Sequence, residues 1–188
     1  MQFSTIKYAV AALAVYSSGV LSQITPAQVV DNIRAVTTKS QALQAPAQSI
    51  NVLNGPLLVV GLGPFPPIIA GFADIVTTAT AAIVQMQGMA PVPAGRQSDL
   101  IFEAFREFVR VHQVLLNILI GKAGLFNTVP IIGQPVAAIL RQIEAVVDTI
   151  ALGLINNVQS RANDLQDEAK KLSGSITLSI DAYDGLNL

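Results

Sequence analysis

Residues 98–121, SDLIFEAFREFVRVHQVLLNILIG, constrain the fold more than any other stretch of this chain. On a helical wheel at about 100° per residue, Glu103, Arg106, Glu107, Arg110, Gln113 and Asn117 fall in one narrow arc. Nearly every other position is Leu, Ile, Val or Phe. A helix with so wide an apolar face needs neighbours on several sides, and other helices are the simplest way to supply them.

Apolar spacing predicts those helices. Thr25, Pro26 and Gln28 combine a capping threonine, proline at the first helical position and glutamine three residues after the cap. Val29, Ile33, Val36, Ser40 and Leu43 then share one face, and Pro46 is expected to end the helix. A second helix is expected from Pro66 and Pro67, with a stripe of Ile68, Phe72, Ile75, Ala79, Ile83 and Met86 closed by MAPVPAG. Ser98 and Asp99 read as the cap of the third. The fourth starts near Gln134 and Pro135 and turns Ile139, Ile143, Val146, Val147, Ile150 and Leu154 inward. The last carries Leu165, Ala169, Leu172, Ile176, Ile180 and Tyr183, with Asp167 and Lys171 expected to pair on its wet side. Unbroken helix over residues 135–183 would be roughly 70 Å long, so a turn is placed near Asn156. The fold class that results is all-α, an antiparallel bundle of about five helices.

The 188 residues suit one domain after processing. The N-terminus reads as a secretory signal: Lys7 supplies one positive charge, YAVAALAVY is a short apolar segment, and small residues follow. Cleavage is expected after Ser22, with Gly19 as the alternative, leaving residues 23–188 as a single helical domain. Loss of Lys7 takes the net charge from -1 to -2. That balance attracts neither nucleic acid nor an acidic membrane surface. With no cysteine, the core must supply all the stability.

Between the first two long helices lies NGPLLVVGLGPFPPIIAGF, residues 54–72, uncharged and broken by glycine and proline. A membrane-spanning helix needs about 20 uninterrupted apolar residues, and backbone broken this way cannot face lipid. The expectation is an apolar flap of Leu57, Leu58, Val59, Val60, Leu62 and Phe65. It would close over the helix ends in solution and meet a hydrophobic surface on contact, the competing outcome being a segment packed permanently into the core.

Catalytic patterns are missing. His112 is the only histidine, and no Gly-x-Ser-x-Gly turn presents a serine. One histidine without cysteine does not make the usual zinc site. Pro64 after Gly61-Leu62-Gly63 removes the amides that a phosphate loop would use. Asp164, Asp167 and Glu168 cluster, but beside Lys170 and Lys171, as a solvated face does. No enzyme, metal or cofactor is expected.

Ser98-Asp99, LLNILIGKAGLF (115–126), PVAAILRQIEAVVDTIALGLINNV (135–158) and SITLSIDAY (175–183) together resemble the fungal hydrophobic-surface-binding protein A family, which includes cell-wall galactomannoproteins. The likeness runs over the whole mature chain. Asn157-Val158 stands where family members often carry proline, and the insert over 55–67 is unusually apolar. The resemblance implies a secreted or wall-associated helical protein that adsorbs to hydrophobic surfaces, assists secreted hydrolases there, or encloses fatty acids. With no Ser/Thr-rich stalk, no apolar tail after Tyr183 and no Asn-x-Ser/Thr sequon, free secretion without N-glycan is expected.

Two functions follow as expectations. In one, a long-chain fatty acid sits in a cavity among the third, fourth and fifth helices. Its lining would be Phe105, Phe108, His112, Leu115, Ile143, Val147, Ile150, Leu172 and Ile176. His112 reads either as a hydrogen-bonded core residue or as the group that fixes one end of the ligand. In the other, the flap adsorbs to surfaces and recruits a hydrolase. A wall-structural protein without ligand is the alternative to both.

Overall fold

A computed structural model describes residues 24–54, 57, 61–126 and 133–184. The expected signal segment, both cleavage positions and the flap residues Leu58, Val59 and Val60 lie outside the described residues. Among those described there is no strand. The helices are α1 (Pro26–Ala42), a short α2 (Gln44–Ser49), α3 (Phe65–Met86), α4 (Arg96–Ala123), α5 (Gly133–Asn157) and α6 (Ala162–Asp184). One 3-10 turn, Gly124–Phe126, extends α4, and another, Gln159–Arg161, precedes α6. The break expected near Asn156 falls at Val158.

The five long helices close into a ring. α1 packs on α4, α4 on α6, α6 on α5, α5 on α3, and α3 back on α1. Successive long helices alternate in direction. Ser40 meets His112 while Ile50 meets Lys122, so α1 and α4 rise together. Asn32 bonds Gln85 while Lys39 bonds Asp74, so α3 runs against α1. With neighbouring axes ~9 Å apart, the centre of a regular pentagon lies ~7.7 Å from each axis, against ~6.4 Å for a square. A five-helix ring therefore has more interior to fill than a four-helix bundle. Phe65, Phe72, Phe105, Phe126, Leu115 and Tyr183 are among the large side chains that fill it.

The stripes lie where the spacing put them, except that Ile83, Val146 and Ala169 are only half-buried. Val29, Ile33, Val36, Ser40 and Leu43 are buried on α1 and its end, as are Ile68, Phe72, Ile75, Ala79 and Met86 on α3. Ile139, Ile143, Val147, Ile150 and Leu154 are buried on α5, and Leu165, Leu172, Ile176, Ile180 and Tyr183 on α6. By length and composition alone, α3 and the stretch Arg96–Phe126 could each cross a bilayer. In this fold both are members of the ring.

Several local expectations need correction. Pro46 does not end α1. That helix stops at Ala42, and Pro46 is the third residue of α2, where its missing N–H would have had no intrahelical partner. Ser98 is not the cap of α4. Gly95, at φ 137°, makes that turn, and Ser98 works from inside the helix: its Oγ accepts from the Gly95 N–H and donates to the Gly95 carbonyl. On α6 the ion pairs are Asp167 with Lys170 and Glu168 with Lys171, three apart, in place of Asp167 with Lys171. α3 begins at Phe65, one residue before the proline pair. The Thr25 cap is as expected: its N–H donates to Gln28 Oε1 at 2.8 Å, and its Oγ1 accepts from the Gln28 N–H.

Candidate functional site

Four helices meet around an apolar cleft in the ring. α1 contributes Asn32, Ile33 and Val36; α3 contributes Ile75, Ala79, Ala82 and Met86. Phe105 and Phe108 come from α4, and Val146, Val147 and Ile150 from α5. Its wall is apolar apart from Asn32, whose amide donates to Gln85, and the space left unfilled is about 10 Å³, roughly one water-sized sphere. The helices have to part before anything larger enters. Alanines at 79 and 82 keep the α3 wall thin where it faces Phe105 and Phe108.

All nine residues expected to line a cavity are buried, but they are not all on this cleft. Phe105, Phe108, Val147 and Ile150 are on it. His112, Leu115, Ile143, Leu172 and Ile176 belong to the core outside its lining. The cleft therefore departs from the expected third-to-fifth-helix position: α6 takes no part, and α1 and α3 supply seven of the twelve lining residues. The sequence shows these two helices as apolar stripes, but only ring closure tells which stripes face each other.

A polar pair lies one turn further along. Ser40 follows Val36 on α1, and His112 follows Phe108 on α4, each by four residues. Ser40 Oγ and His112 Nδ1 are 2.9 Å apart and both residues are fully buried. The imidazole is flanked by Phe108, with centroids 5.4 Å apart, and by Phe72, edge-on at 6.4 Å. Burial pushes its pKa down to about 4, so the ring is neutral at pH 7. Nε2 has no hydrogen-bond partner, and it is the buried side-chain polar atom so placed among the described residues. The other buried side-chain polar atoms among the described residues have partners. Tyr183 donates to the Leu119 carbonyl at 3.0 Å, with burial pushing its phenol up, and Ser179 donates to the Ser175 carbonyl.

The flap divides. Phe65 is in the core, 1% exposed, its ring edge-on to Phe126 at 4.6 Å, and so is not part of an exposed flap. Leu57 and Leu62 are exposed, at 41% and 60%. They are joined by Val52 at 67% and Leu53 at 85%, which sequence reasoning passed over. Asn51 and Asn54 side chains fold the chain there: Asn51 Oδ1 accepts from the Leu53 and Asn54 N–H groups, and Asn54 Oδ1 accepts from Asn51 N–H. Such side-chain turns leave the neighbouring apolar residues pointing to solvent. The described loop residues also stand away from the cleft. From Phe65 to Ile75, the first α3 residue on the cleft, is ten residues, or ~15 Å of helix.

No family model matches the sequence, and no curated protein matches it. Solved structures do match in three dimensions. The complex of Afmp4p with palmitic acid superposes with a TM-score of 0.74 at 12% identity, covering 85% of this chain and 99% of that one. Ligand binding domain 2 of the Penicillium marneffei MP1 protein, complexed with multiple arachidonic acids, gives 0.68 at 14% identity over 85% and 94%. Ligand binding domain 1 of the same protein, also with arachidonic acids, gives 0.64 at 14% identity over 84% and 95%. The chain thus shares the helical fold of these fungal proteins over nearly their whole length.

Proposed function

We propose that this protein is a secreted, non-catalytic carrier that takes a long-chain fatty acid between the helices of its ring. The observation that carries the reading is the apolar cleft between α1, α3, α4 and α5, set in a fold whose solved examples hold palmitic and arachidonic acids. Burying ~14 methylenes at ~0.8 kcal/mol each is worth about 11 kcal/mol. Association costs at least ~4 kcal/mol, which leaves low-micromolar binding at best. Parting a closed core adds to the cost, so a ligand has to be long to bind at all. Secretion is supported by the Lys7, apolar-segment and small-residue pattern at the N-terminus.

A second activity has its own observation. Val52, Leu53, Leu57 and Leu62 are exposed together on one connection, and apolar residues so gathered suit adsorption to a hydrophobic surface. The same loop would serve any hydrolase brought to that surface. Native mass spectrometry of protein from its own culture medium tests the carrier reading. Retained mass of a C16 to C20 acid supports it; protein that is lipid-free there and stays so with added acid refutes it.

A further inference from the structure

His112 is fully buried, bonded on one ring nitrogen only, and placed immediately beyond the cleft residue Phe108. The tautomer follows from counting partners. If Ser40 donates to Nδ1, the hydroxyl is satisfied and the single orphan is the Nε2–H. If Nδ1 carries the proton instead, Ser40 accepts, and both the hydroxyl hydrogen and the Nε2 lone pair are left without partners. Leaving fewer buried groups unpaired favours the first arrangement. A buried N–H donor is then turned away from Ser40 among apolar side chains, and no group among the described residues answers it.

We propose that His112, held by Ser40, is the seat for the oxygen head of the bound lipid: Nε2–H donates to the carboxyl group while the acyl chain fills the cleft past Phe108. This deepens the carrier reading and rests on it. The Ser40 hydroxyl suits either protonation state of the pair. It donates to Nδ1 while the imidazole is neutral, and it accepts from Nδ1–H if an ionised carboxylate draws a proton onto the ring. Preference for an acid over a hydrocarbon of the same length comes from this one donor just beyond the lining, since the only polar side chain on the cleft wall, Asn32, is engaged with Gln85.

The test compares hexadecanoic acid with hexadecane, by competitive displacement of a fluorescent fatty acid, on wild type, His112→Phe and Ser40→Ala. Wild type is expected to prefer the acid at least tenfold, as for a hydrogen bond to a charged or strongly polar head. His112→Phe should lose that preference and still bind hexadecane. Ser40→Ala should reduce the preference less, because the donor remains but is no longer fixed. Since the chain has one histidine, its imidazole nitrogen resonances need no assignment, and they can be read on untagged wild type with no variant at all. Nε2 should be the protonated nitrogen in the lipid-free protein, and its resonance should move on adding the acid and stay on adding the hydrocarbon. A folded His112→Phe that keeps the full preference, or an Nε2 signal unmoved by bound acid, overturns the head seat while leaving the carrier standing. Failure of wild type to bind either compound overturns both.

Discussion

Phe65 meets Phe126 edge-on, with ring centroids 4.6 Å apart and planes at 86°. This pair joins the first residue of α3 to the 3-10 turn that ends α4, next to the exposed loop, so it fixes where the loop stops and the core begins. Truncating either ring to alanine should cost ~3–5 kcal/mol in a urea melt. The double variant should reveal a coupling of ~0.5–1.5 kcal/mol. A loss below ~1 kcal/mol would return Phe65 to the loop.

The loop residues should behave in the opposite way. Replacing Val52, Leu53, Leu57 and Leu62 with serine is expected to change stability by no more than ~0.5 kcal/mol each, since all four face solvent. Adsorption to alkane droplets or polyester particles should weaken in the same protein. Fatty-acid affinity should be unaltered, because these residues stand away from the cleft. A parallel loss of both activities would mean that the loop and the cleft act as one device.

How far the sequence carried can be judged on particular residues. The α1, α3, α5 and α6 stripes were legible because 3.6-residue periodicity reports burial directly. Core placement of Phe65, expected in the flap, was also legible: running the stripe of Ile68, Phe72 and Ile75 back three residues lands on it. Ser40 stood as a polar residue on an apolar stripe, which was the available sign of a buried partner. The cleft was not legible in full. Ile33, Val36, Ile75 and Ala79 join Phe105 and Phe108 only because α1 contacts both α3 and α4, and ring order is not written in any one helix. Ser98 misled because a serine at the third helical position also serves the helix start, but it takes the N-cap amide of Gly95, whereas a capping serine would take an amide inside the first turn.

Acid should weaken the fold through His112. Burial holds its folded pKa at about 4, against ~6.5 in the unfolded chain. Between those values the unfolded chain binds a proton that the folded protein refuses. Stability is therefore complete above pH ~6.5 and falls on acidification by up to ~1.4 kcal/mol per unit, about 3 kcal/mol by pH 4. Carboxylates titrate in part of that window, so the informative quantity is wild type minus His112→Phe across urea melts from pH 7 to 4. A difference that does not vary with pH would contradict a neutral buried imidazole.

Filling the cleft should separate stability from binding. Ala82 lies on its α3 wall and is 4% exposed, with only about 10 Å³ free beside it. Ala82→Leu should overpack by ~1–3 kcal/mol and weaken fatty-acid binding at least tenfold, read by thermal melt and displacement of a fluorescent fatty acid. Unchanged affinity would place the lipid elsewhere.

The most direct measurement is calorimetric titration of delipidated, folded protein with hexadecanoic acid at several temperatures. A ring that parts to enclose the acyl chain predicts saturable binding near the micromolar range with a negative heat-capacity change. It also predicts affinity that falls steeply as the chain is shortened, by ~0.8 kcal/mol per methylene removed. No saturation below ~100 μM, in protein shown to be folded and lipid-free, would contradict it.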